Sequence, residues 1–112
     1  MQYMLFMCDD GAQTAGPAEI TAMPEFVTWQ KDLEARGVSH RGARLRPAAE
    51  AVTVRVRDGQ LLITDGPFAE TKEQISGYEL IECSDLDEAI EVAAGHPTAI
   101  RFSVEIRPFW ED

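Results

Sequence analysis

Cysteine is scarce in this chain: Cys8 and Cys83 are the only two among 112 residues. A disulfide framework needs denser cysteine and an oxidising compartment, so none is expected. Each thiol lies inside an apolar, strand-like run and reads as buried and reduced. Histidine is as rare. His40 and His96 share no metal-ligand spacing with the cysteines, so neither a metal nor another cofactor is expected. Basic residues are few, 10 Lys plus Arg against 20 Asp plus Glu, for a net charge of −10. Such a chain repels phosphate backbones. Its one basic cluster, Arg41, Arg44, Arg46, Arg55 and Arg57, is split between faces by strand alternation, which excludes nucleic acid as a partner. No apolar run is long enough to span a membrane, and no basic start leads into one. Neither span nor signal peptide is expected, and a cytoplasmic location follows by default. Internal repeats, linkers, low-complexity tracts and phosphate-cradling glycine loops are also missing.

What is present is an ordinary balance of 45% apolar and 27% charged residues, enough for one domain over residues 1–112 with a core of its own. Tyr3 to Cys8 is apolar on both alternating faces, the pattern of an interior strand. A Gly- and Asp-rich loop is expected from Asp9 to Pro17. A helix then begins near Pro24, which suits a first turn, with Phe26, Trp29 and Leu33 on its apolar face. Gly37 supplies its left-handed cap and Val38 the apolar contact beyond. His40 falls in a basic, loop-like stretch and is expected to face solvent; Gly42 to Pro47 reads as a short extended piece.

Val52 to Arg57 and Gln60 to Thr64 flank Asp58-Gly59, a strong two-residue hairpin signal. Counting outward pairs Arg57 with Gln60, Val56 with Leu61 and Val54 with Ile63, placing Val54, Val56, Leu61 and Ile63 on one face. Ile75 to Cys83 is a further strand, apolar on both sides. Asp85 and Glu88 form a capping pair for a second helix with a stripe of Leu86, Ala89, Ile90 and Ala93, ended by Gly95 and Pro97. Phe102 to Arg107 alternates strictly, a strand with one wet face. This order predicts an α+β fold: two helices on one face of an antiparallel sheet, with an inserted hairpin. Two strands apolar on both faces need a second cover, and another copy of the same sheet supplies it, giving a homodimer through sheet faces.

Asp65-Gly66-Pro67-Phe68-Ala69-Glu70-Thr71-Lys72-Glu73 is the densest cluster of turn formers and charges. With Gly77 to Glu82, Asp85 to Ala89 and Val104 to Pro108, it resembles the YCII-related family, in the branch labelled by its DGPF motif. The resemblance runs nearly end to end. It implies a ferredoxin-like fold dimerising into an α/β barrel, and in the DGPF branch a genomic setting near extracytoplasmic-function sigma factors. Shorter relatives carry a His in the first helix paired with an Asp; the helix here, from Pro24, has none, so that mechanism does not transfer.

Asp65 stands at a strand end beside a Gly-Pro turn, where a carboxylate serves either as a general base or as a plain turn cap. Lys72 beside Glu70 either holds an anionic ligand or forms an exposed ion pair. His96, after the second helix, reads as a helix-end partner favoured as imidazolium, or as the acid/base partner of Asp65. Two functions follow. One is a small dimeric enzyme in which Asp65 and His96 move protons on a small polar molecule, with Phe68, Glu70, Lys72 and Tyr78 around the ligand. The other is a non-catalytic ligand-binding or accessory module in a stress-response setting.

Overall fold

Alternation along β1 (Gln2–Asp9) buries Tyr3, Leu5, Met7 and Asp9 on one face, while Met4, Phe6 and Cys8 on the other stay half-exposed. In this computed structural model, which describes residues 1–10, 17–66 and 74–111, β1 lies between two antiparallel neighbours. One is β5 (Gln74–Glu82) and the other β6 (Ser103–Pro108); β2 (Ser39–Arg44) pairs with the outer edge of β5. The sheet order β2-β5-β1-β6, with helices between β1 and β2 and between β5 and β6, is consistent with a ferredoxin-like α+β fold. The hairpin strands β3 (Val52–Arg57) and β4 (Gln60–Asp65) form a separate two-stranded sheet.

The helices cover one face. Helix α1 (Pro17–Ala22) precedes α2 (Pro24–Ala35), whose Phe26, Trp29 and Leu33 recur at helical spacing and enter the core with Tyr3, Leu5, Met7 and Ile81. Gly37, at φ +70°, closes α2 as its spacing foretold: Val38 N–H donates to Leu33 O at 2.9 Å, Gly37 N–H to Glu34 O at 3.2 Å, and Val38 and Leu33 are both buried. Asp85 caps α3 (Leu86–Ala94) by accepting Glu88 N–H at 2.9 Å, while Glu88 accepts the N–H of Ser84. Trp29 ties the helices together, its indole N–H donating to Val92 O at 2.8 Å.

Several local expectations give way. Asp9 is the buried last residue of β1, and Pro17 opens a helix. The extended piece expected over Gly42 to Pro47 is extended as β2, but that strand starts earlier, at Ser39, takes in His40 and ends at Arg44; residues Ala48–Glu50 form a single 3-10 turn. Helix α3 buries Ala89, Val92 and Ala93, leaving Leu86 and Ile90 exposed, because Val92 rather than Leu86 completes the face that meets the sheet. Pro97 does not end that helix. Gly95 caps it, and Pro97 starts α4 (Pro97–Arg101).

The hairpin takes the register counted from its turn, Val56 opposite Leu61 and Val54 opposite Ile63. Asp58 and Gly59 both have positive φ, 51° and 74°, as a type I′ turn requires. Its shared apolar face nevertheless stays open: Val54, Val56, Leu61 and Ile63 are 58% to 62% exposed. Cys8 is half-buried and Cys83 buried, and burial pushes the Cys83 thiol up. No helix among the described residues is long and apolar enough to cross a membrane.

Candidate functional site

Between the helices and the β2 side of the sheet lies a cavity of about 320 Å3. A bulge shapes its floor. The β1–β5 register shifts after Met7, and Ser76 in the opposing strand donates its hydroxyl to Met7 O at 3.2 Å. Ile20, Met23 and Phe26 form an apolar wall, against which Asp9, Arg44, Glu79 and His96 bring polar groups. That mixture, mostly apolar with a few convergent polar groups, is the usual make-up of a small-molecule site.

Glu79 is held from several sides. It sits on β5 with Gly77 and Ile81, on the strand face turned to the helices, and is 7% exposed. Burial raises its carboxyl above the ordinary value of 4.5, and His40 works against that rise, its Nδ1 standing 3.4 Å from Glu79 Oε2. His40, expected in solvent, is therefore a half-buried residue of β2 whose ring meets Trp29 edge-on at 5.4 Å. The residue opposite Glu79 in β2 is Gly42. A Cβ there would lie 2.6 Å from Glu79 Cδ and would strike the carbonyl of Tyr78, so the missing side chain makes the carboxyl's seat.

His96 is 6% exposed and begins α4 as its N-cap: Nδ1 accepts the N–H of Thr98 at 3.0 Å. Phe26 and Trp29 meet the ring edge-on, with centroids 5.9 and 4.8 Å away. Burial lowers its pKa to about 4. The expected imidazolium at a helix C-terminus is thus replaced by a neutral imidazole at a helix N-terminus. The physical reason is that Pro97 starts a helix, and a nitrogen accepting a backbone N–H cannot hold a proton.

Of the residues proposed from sequence, His96 and Tyr78 border the cavity. Asp65 does not; it is exposed at the end of β4, opposite Val52 in the hairpin. Phe68, Glu70 and Lys72 lie outside the described residues. Asp9, Arg44 and Glu79 were missed. For Glu79 the signal was available: a lone carboxylate in phase with Gly77, Ile81 and Cys83 on a strand apolar on both faces. For Asp9 the alternation of β1 is the signal, since it falls in phase with Tyr3, Leu5 and Met7; for Arg44 no local pattern points inward. Among the described residues no group of three or more His, Cys, Asp or Glu side chains is arranged to hold a metal ion.

Comparison with known proteins places this geometry in a family. The family model for the YCII-related domain matches residues 1–111. The chain is also 47% identical over 68 residues to "Uncharacterized protein R00369" of Rhizobium meliloti (strain 1021), a match covering 59% of this chain and 55% of that protein. It thus spans about half the length of that relative. A family match that runs from the first strand through the last makes the chain a member of the YCII-related family.

Proposed function

We propose that this protein is a small-molecule enzyme in which the cavity under α2 and α4 is the site and Glu79 is the group that moves protons. The observation that carries the reading is a carboxyl group buried in the wall of a largely apolar cavity, with its pKa raised by that burial. A carboxyl so placed exchanges protons nearer neutrality than a surface one does, as general acid/base work requires. His40 positions it from the side away from the ligand space. The test is a thermal-shift screen of a metabolite library against wild type, Glu79→Gln and Asp65→Asn. A hit at 100 times its Kd stabilises by about 2.7 kcal/mol, and that gain is expected to shrink in Glu79→Gln alone. Loss confined to Asp65→Asn would move the site to the loop begun by Asp65, with Phe68, Glu70 and Lys72 as its ligand contacts and His96 as its acid/base partner.

The working unit in this reading is a homodimer closed through sheet faces into an α/β barrel. Its support is the face away from the helices, where Met4, Phe6, Tyr78 and Leu80 stand half-exposed together in neighbouring strands. The Asp65-to-Glu73 sequence supports placing the chain in the DGPF-motif branch of the family. A second reading, an accessory module acting through contact, is favoured by the hairpin, whose open apolar face nothing else in the chain covers among the described residues.

A further inference from the structure

The hydrogen bond that caps α4 also decides what the cavity meets. Because Nδ1 of His96 accepts the Thr98 N–H, the neutral ring carries its single proton on Nε2. Nδ1 takes the only hydrogen bond the ring makes among the described residues, and none of their buried side-chain nitrogens or oxygens is left without a partner or access. Nε2–H therefore opens on the cavity that His96 lines. Trp29 and Phe26 hold the ring plane by edge contacts, so this donor is fixed in direction. Across the same space Glu79 has one carboxyl oxygen beside His40, which leaves the other for a ligand.

From this pairing we infer that the cavity takes a small carbonyl compound, with its oxygen on Nε2–H of His96 and its α-proton moved by Glu79. The inference rests on the acid/base reading of the cavity and adds the substrate class. An uncharged donor suits a neutral oxygen that gains negative charge only as the reaction proceeds, and it acts most strongly against an apolar wall such as Ile20, Met23 and Phe26. In the step, the Glu79 carboxylate takes a proton from the carbon beside the carbonyl. The C–H electron pair becomes a C=C bond, and the C=O π pair moves onto oxygen, where His96 stabilises it. Glu79 then returns the proton to another atom of the same molecule. The sum is an isomerisation that needs no oxidant, reductant or co-reactant.

Two probes test this on the full chain carrying Trp110→Phe, which removes the fully exposed indole and leaves Trp29 as the reporter beside His96. Phenol mimics an enol in shape and charge; cyclohexanone offers exchangeable α-protons. Phenol is expected to change Trp29 fluorescence saturably, with affinity falling at least about tenfold in His96→Ser and less in His96→Asn. Both replacements can still cap α4, but only Asn keeps an N–H donor. Incorporation of deuterium from D2O into cyclohexanone, followed by NMR, is expected to fall at least about 100-fold in Glu79→Gln while phenol still binds. Equal phenol affinity in wild type and His96→Ser, or a 15N spectrum placing the His96 proton on Nδ1, would overturn the inference. So would normal phenol binding with no protein-dependent exchange, which leaves the cavity as a binding site. If library hits lose nothing in Glu79→Gln, it is the underlying acid/base reading that fails.

Discussion

Acidification from about pH 7 to about pH 4 sets this fold against its own His96. In the folded chain burial holds the imidazole at about 4, against 6.5 as its ordinary value. Between those values the unfolded chain binds the proton and the folded one does not. Stability is therefore fully present above 6.5 and is lost as pH falls toward 4. A difference of two and a half pKa units at 1.36 kcal/mol each makes the loss about 3 kcal/mol, a large part of the roughly 5–15 kcal/mol that holds a domain together. Two effects contribute: the imidazolium would be desolvated, and a protonated Nδ1 could no longer accept the Thr98 N–H. Glu79 acts the other way. Its raised pKa means that the folded chain holds that proton more tightly, so its contribution is lost as pH rises from 4.5 through the folded value. Urea unfolding of wild type, His96→Asn and Glu79→Gln across this range reads both. His96→Asn is expected to flatten the acid loss, and Glu79→Gln to steepen it by removing the opposing group. Parallel curves for wild type and His96→Asn would refute the reasoning, since no other change to the chain separates them.

Gly42→Ala is expected to cost about 1–3 kcal/mol in chemical unfolding, because its Cβ must displace both the Glu79 carboxyl and the Tyr78 carbonyl; a change near zero would show that the seat is not tight. Phe6→Glu, placing a charge in the middle of the open sheet face, is expected to convert a sedimenting dimer to single chains while leaving the circular dichroism unchanged. Wild type sedimenting as single chains at micromolar concentration would remove the sheet-face dimer.

Much of the local architecture was legible because its causes are local. The Gly37 cap, the Asp85–Glu88 capping pair and the Asp58-Gly59 turn each depend on backbone preferences within a few residues. The strands β1 and β5 were legible as central from apolar residues on both faces, and the family from motifs spread along the chain. The site was less legible. Asp65 stands out in sequence through its glycine and proline neighbours, yet it is exposed at a hairpin end. Glu79 falls in phase with Gly77 and Ile81 on β5, yet only the packing of β2 and β1 beside that strand shows that it borders a cavity.

What the chain alone determined is the kind of local unit that the longer periodic stretches form, along with acidity, scarcity of thiols and the register of the hairpin, because turn chemistry and side-chain periodicity act over short distances. What only the tertiary structure decided is the protonation of His96, the place of Glu79 in a cavity wall and the purpose of Gly42. Each depends on desolvation and close approach by residues far apart in sequence: Trp29 against His96, and Gly42 against Glu79. No periodicity records such distances, and they emerge only when the strands and helices meet.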